Sequence, residues 1–136
     1  MTDIERKRAY LEKYWDIDNE LKTNDYEIME VIADVRGIGA MVYSDMPTAH
    51  KRTDLSDKIV MYENRMKKLS KEKNMLLNSK WEIINKINDI SKPIYRRILY
   101  EKYIQGMKIN EMSETIGYGE RNIRKLTRQA IMSIDI

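Results

Sequence analysis

Cysteine is absent from the 136-residue chain, so neither a disulfide framework nor a thiolate metal site can form. A single histidine, His50, sits between Ala49 and Lys51-Arg52. One imidazole cannot build a zinc centre, and beside two cations it is expected to be an exposed side chain. Phenylalanine is missing, proline occurs twice and glycine five times, a composition that leaves little room for turn-rich sheets and favours long helices. No apolar run approaches the eighteen or so residues of a membrane span. The first residues, Met1-Thr2-Asp3-Ile4-Glu5-Arg6, lack the apolar stretch of a signal peptide, which predicts a cytoplasmic protein. There is also no glycine-rich phosphate loop, no nucleophile-base pair and no recognisable carboxylate pair, so no catalytic role, cofactor or metal is expected.

What is present is an apolar share of 42% together with a charged share of 35%. That is too apolar for a disordered tail and too charged for a bilayer. Net charge is only +3, but it is unevenly spread. From Ser91 onward nine basic side chains face five acidic ones, whereas the first ninety residues carry sixteen against seventeen. The positive excess therefore belongs to the last third.

The apolar positions predict an all-α chain in three segments. From about Asp3 to Arg36, Tyr10, Tyr14, Ile17, Leu21, Asn24, Ile28, Val31 and Val35 recur at alternating spacings of four and three, the a/d pattern of a helix with one narrow seam. Gly37 is expected to cap its C-terminus. Residues 37–53 hold Gly37, Gly39 and Pro47 and are expected to form a long loop. In that loop Ile38, Met41, Val42, Tyr43 and Met46 are expected to fold back over the hairpin tip as core, the alternative being a contact for a partner protein or a second subunit. A second helix then starts at a Thr53 or Asp54 cap, with its seam at Leu55, Ile59, Tyr62, Met66, Leu69, Lys73, Leu76, Lys80, Ile83, Ile87 and Ile90. Neither helix buries so narrow a stripe alone. The simplest solution over residues 1–90 is a long antiparallel helical hairpin, coiled-coil-like and about 40–50 Å long at 1.5 Å per residue. The seams are satisfied equally well between chains, which leaves a homodimer open. Asn24, Lys73 and Lys80 interrupt them, and polar residues there are expected to fix register, with lysine stems reaching past the apolar contact. Trp81, Ile83, Ile84 and Ile87 are expected to dock the third segment or another subunit.

The third segment, residues 91–136, opens on a Ser91 N-cap candidate with Pro93 in the first turn. A helix carrying Ile94, Ile98, Leu99, Tyr103 and Ile104 follows and ends at Gly106. A short helix over Ile109 to Ile116 stops at Gly117, and a last helix runs from Glu120 to about Ser133. Helix, break, short helix, tight turn, helix is the helix-turn-helix layout. At about 100° per residue, Arg121, Arg124, Lys125 and Arg128 cluster on one side of the last helix while Ile123, Leu126 and Ala130 lie opposite. A major groove admits one helix, whose arginines pair with guanine and whose lysines meet phosphates. Glu120, Arg121 and Asn122 in the first turn, with Arg124, Lys125 and Arg128 behind them, are the candidate contacts to double-stranded DNA.

These residues carry a resemblance. Arg-Arg-Ile-Leu-Tyr-Glu-Lys-Tyr at 96–103, Gly-Met-Lys-Ile-Asn-Glu-Met-Ser-Glu-Thr-Ile-Gly at 106–117 and Arg-Asn-Ile-Arg-Lys-Leu-Thr-Arg-Gln-Ala at 121–130 resemble the DNA-binding region 4 of sigma-70-type factors. With Ser44-Asp45-Met46-Pro47 between two long helices, the whole chain resembles the small sigma-like regulators of phages and prophages of Gram-positive bacteria, the ArpU and RinA type. The resemblance implies a sigma region 4-like helix-turn-helix, transcriptional regulation, and a hairpin that dimerises or contacts RNA polymerase. Two positions depart from the pattern: Lys108 and Gly119 stand where a serine or threonine usually caps the second and third helices, a loss of about 1 kcal/mol for each missing cap. No counterpart of the promoter-melting sigma region 2 is present. The competing reading is a phage assembly protein, such as a small terminase-like DNA-packaging subunit, which also joins helix-turn-helix elements to helical oligomerisation.

Overall fold

A computed structural model describes the backbone of residues 1–44 and 49–136, and the side chains of these residues outside 39–53. Among the described residues the structure is all-helical, with five α-helices and no strand. The helices are α1 (Asp3–Ser44), α2 (Ala49–Asn88), α3 (Pro93–Leu99), α4 (Ile109–Ile116) and α5 (Glu120–Ser133), with a π-turn at Tyr100–Ile104 directly after α3.

The interior of the chain corrects the expected loop. α1 runs through Gly37 to Ser44, and α2 begins at Ala49 rather than at Thr53 or Asp54. Residues 37–44 and 49–53 are therefore helical. Gly37 does not enter the left-handed region, so it is not a C-cap. One glycine inside a helix costs only about 0.5–1 kcal/mol relative to alanine, and Ile38, Ala40, Met41 and Val42 after it are compatible with helix. The side chains of Met41, Val42, Tyr43, Met46, Pro47 and His50 lie outside the described residues, as does the expectation placed on them.

Two compact units divide the chain: Met1–Asn19 together with Asn78–Ile136, and Glu20–Leu77. In the second, Leu21, Val31 and Leu69 are buried, as is Asn24, whose amide Nδ2 donates to the Leu69 carbonyl at 2.9 Å. Glu27 pairs with Arg65 at 3.5 Å and Asp25 with Lys73 at 3.1 Å. The partners thus descend on α2 as they rise on α1. The predicted seam holds at Leu21, Asn24, Val31 and Leu69. It thins at Val35 and Ile59, which are 42% and 40% exposed.

The first unit holds one continuous core. The N-terminal part of α1 contributes Leu11 and Tyr14, the C-terminal part of α2 contributes Ile83 and Ile87 with Ile90 just beyond it, and the C-terminal segment contributes Ile98, Leu99, Tyr103, Met112, Ile123, Ala130, Ile131 and Ile134. Leu11 is fully buried although it lies off the expected heptad seam. Trp15, one turn later, stacks on Tyr103 with centroids 5.5 Å apart. A helix set against several neighbours needs a wider apolar stripe than one in a two-helix pair, and Tyr10, Leu11, Tyr14 and Trp15 supply it. Ile83 and Ile87 dock on the third segment as expected, whereas Trp81 is 57% exposed. Of the seam-interrupting lysines, Lys80 lies over the Tyr14 ring at 5.5 Å and 3.8 Å from Asp18. Lys7 and Arg6 of α1 donate to the carbonyls of Met132 (2.7 Å) and Ile136 (3.3 Å), placing positive charge where the carbonyl end of α5 concentrates negative potential.

Candidate nucleic-acid interface

The N-cap of α3 is Lys92, not Ser91. Its φ of −84° and ψ of 115° are extended, with Pro93 directly inside the helix. Proline biases the residue before it away from the helical region, which moves the boundary one residue past the serine. α3 then widens into the π-turn, where Gln105 N–H bonds the Tyr100 carbonyl at 3.0 Å. Gly106, with φ +70°, lets the chain leave the helix, and Met107 N–H returns to the Glu101 carbonyl at 2.9 Å.

α4 has the predicted bounds. Gly117 ends it in the left-handed conformation at φ +87° and bonds the Ser113 carbonyl, a C-cap that glycine adopts without a Cβ penalty. The Ser113 hydroxyl donates across the turn to the Tyr118 carbonyl, tying the end of α4 to the approach of α5. Gly119 is the N-cap of α5 in an extended conformation, and neither Gly119 nor Lys108 makes a side-chain cap bond. Met112 of α4 is fully buried in the shared core. Arg97 spans the two sides of the segment, its Nε 3.2 Å from Glu101 Oε1 and its guanidinium donating to the Thr115 carbonyl at 3.1 Å. Glu101 is buried with Oε2 unpartnered.

Along α5 the apolar and cationic sides separate as the sequence implies. Ile123, Thr127, Ala130 and Ile131 are buried, and the Thr127 hydroxyl donates to the Ile123 carbonyl at 2.7 Å, which satisfies it internally. Leu126, expected at the centre of the packed side, is only half-buried; Thr127 takes the deeper position. Glu120, Arg121, Asn122, Arg124, Lys125 and Arg128 are all exposed. None of the four cations forms an ion pair with a described residue. Four other basic residues of the segment are engaged: Arg96 donates to the Ile90 carbonyl at 2.7 Å, Arg97 is held as above, and Lys92 and Lys102 lie over the Tyr95 and Tyr103 rings at 4.8 and 5.4 Å.

Comparison of the chain with protein-family models, curated proteins and solved structures gives no match.

Two cations that sequence reasoning did not select border the α5 face. Arg8 and Lys102 line a shallow cleft with Arg124, Arg128, Ile109, Thr127 and Ile131. Burial pushes the Lys102 ammonium below the usual lysine range, and the nearby Arg8 charge pushes it the same way while Glu12 opposes both. Burial and Glu12 push the Tyr103 phenol up, partly offset by Arg8. No local pattern could have joined Arg8 to Arg124, because only tertiary packing brings α1 to α5.

Proposed function

We propose that the chain is a sequence-specific DNA-binding transcriptional regulator of the phage type, with α4 and α5 as a sigma region 4-like helix-turn-helix and α5 as the helix that enters the major groove. The single observation that carries the reading is the α5 face itself. Arg121, Arg124, Lys125 and Arg128 are exposed and lack ion-pair partners among the described residues, opposite a buried side anchored by Ile123, Ala130 and Ile131. A cationic side chain spent on structure is bonded to carbonyls or carboxylates, as Arg96 and Arg97 are. These four are not. Glu120, Arg121 and Asn122 occupy the first turn, where base contacts concentrate in groove-reading helices, and Arg124, Lys125 and Arg128 reach the flanking phosphates or bases. In this reading α1 and α2 over Glu20–Leu77 form the hairpin that dimerises or contacts RNA polymerase.

The test is the triple substitution of Arg121, Arg124 and Arg128 by alanine, measured by fluorescence anisotropy on duplexes selected from a random pool. Binding is expected to be lost with helical content unchanged. The wild-type affinity is expected to fall steeply with salt, by a slope of about 0.9 per neutralised phosphate on logarithmic axes. A triple variant that binds as the wild type does refutes the assignment, and salt-independent binding favours the assembly-protein reading.

A further inference from the structure

We propose that Arg8, Lys102, Arg124 and Arg128 form a cleft that grips one DNA backbone phosphate at the edge of the α5 face. The proposal rests on the DNA-binding reading and adds to it a clamp built from three separate parts of the fold. Arg8 comes from α1, Lys102 from the π-turn, and Arg124 and Arg128 from successive turns of α5. All four line the same cleft, whose other walls are Ile109, Thr127 and Ile131. No carboxylate lines it, and none of the four cations is ion-paired to a described residue.

Like charges brought together with no carboxylate in the cleft lining are a cost to the fold. Lys102 is half-buried and its ammonium is disfavoured by burial first and by the Arg8 charge second, with Glu12 giving only partial relief. An anion seated between these groups removes the repulsion and supplies acceptors for guanidinium and ammonium donors together. The Thr127 hydroxyl is already committed to the Ile123 carbonyl, so recognition in the cleft is by charge rather than by a neutral donor. Lys102 is carried by the π-turn that closes α3, so the end of that helix sets its position in the cleft. A phosphodiester is the anion of choice because Arg124 and Arg128 belong at once to the cleft and to the face proposed to meet the duplex. A helix that enters a groove has the bordering backbone within reach of its flank. Such a contact positions the protein without reading sequence.

The experiment uses the full chain with Arg8→Gln, Lys102→Met and the double variant. Affinity for the selected duplex and for a scrambled duplex is measured as sodium chloride is varied, and circular dichroism verifies the fold. The double variant is expected to weaken binding to both duplexes by a similar factor, on the order of tenfold. The salt slope should fall by about 0.9, the value for one phosphate, with the ratio between duplexes preserved. Arg121→Ala, in contrast, should lower that ratio. If Lys102→Met unfolds, the exposed Arg8→Gln variant carries the comparison alone. A wild-type slope and affinity in a folded double variant overturns the clamp while leaving the DNA reading intact, and a wild-type protein that binds no duplex overturns both. Vesicles of phosphatidylglycerol provide the other phosphodiester source. Loss of vesicle binding with unchanged duplex binding also overturns the proposal.

Discussion

Gly37 separates two descriptions of α1 by the sign of one substitution. If residue 37 were the left-handed cap of a helix ending at Arg36, alanine there would be strained by about 1–2 kcal/mol. In the structure Gly37 lies inside a helix that continues to Ser44, does not have positive φ, and has nothing within 4 Å of the position a Cβ would occupy. It is also exposed. Gly37→Ala therefore adds no clash and removes the conformational freedom that glycine gives the unfolded chain. The gain is about 0.8–1.0 kcal/mol from helix propensity. For a chain of this length that corresponds to a melting temperature higher by about 3–5 °C. Thermal unfolding followed at 222 nm, repeated in urea to compare midpoints at equal slope, measures it. A lower melting temperature or midpoint refutes the continuous helix and restores the break at 37.

Leu11→Ala empties a fully buried site in the core that also holds Ile98 and Met112, so it is expected to cost about 2–5 kcal/mol in urea unfolding, whereas the same change at exposed Val60 should cost little. Gly119→Ser supplies the missing acceptor at the α5 N-cap, where φ −63° and ψ 153° suit any L-residue and no atom lies within 4 Å of the new Cβ; a rise of about 0.5–1 kcal/mol is expected from the cap and the stiffer unfolded chain. Asn24→Leu removes a buried amide whose Oδ1 has no partner and is expected to raise stability while relaxing the pairing register, which crosslinking of cysteine pairs would report. In alkali, Tyr103 and Tyr10 both have phenols pushed up by burial, with Glu12 and Glu82 adding to the shift respectively. The unfolded chain therefore loses these protons first, and stability should fall as pH rises beyond about 10. Lys102, shifted down, works oppositely below the ordinary lysine value of 10.5, and replacing both tyrosines by phenylalanine should flatten the fall.

Much of the helical layout was legible because it depends on local chemistry. Ile109–Ile116 and Glu120–Ser133 follow from apolar spacing bounded by Gly117 and Gly119. The seam positions Leu21, Val31, Leu69, Ile83 and Ile87 follow from heptad spacing. Where two signals competed, the local rule misjudged the winner. Gly37 reads as a stop in isolation, but its cost is small beside the favourable continuation of a long helix. Ser91 is the better capping side chain, but the conformational bias that Pro93 imposes on its neighbour gave the cap to Lys92. Leu11 fell outside the pattern because a heptad describes a helix with one partner, and the outer end of α1 has several.

The candidate interface divides along the same line. Its α5 residues were legible because they lie on one helix, within a span of nine residues. Arg8 was not, since it lies far from Arg124 in sequence and meets the same cleft only because Leu11, one turn further along α1, is buried in the core with Ile123 and Ile131. That burial also bears on how the basic face is held. With no side-chain cap at Lys108 or Gly119, α4 and α5 receive little stabilisation from their own N-termini. Their placement depends on Met112, Ile123 and Ile131 meeting Leu11 and Ile87 in one core, and on Lys7 bonding the carbonyl of Met132 at the far end of α5. Cations on a short, uncapped helix would scatter as the helix frays. Anchored this way, Arg121, Arg124, Lys125 and Arg128 keep a fixed spacing, the condition for reading a groove rather than merely attracting one.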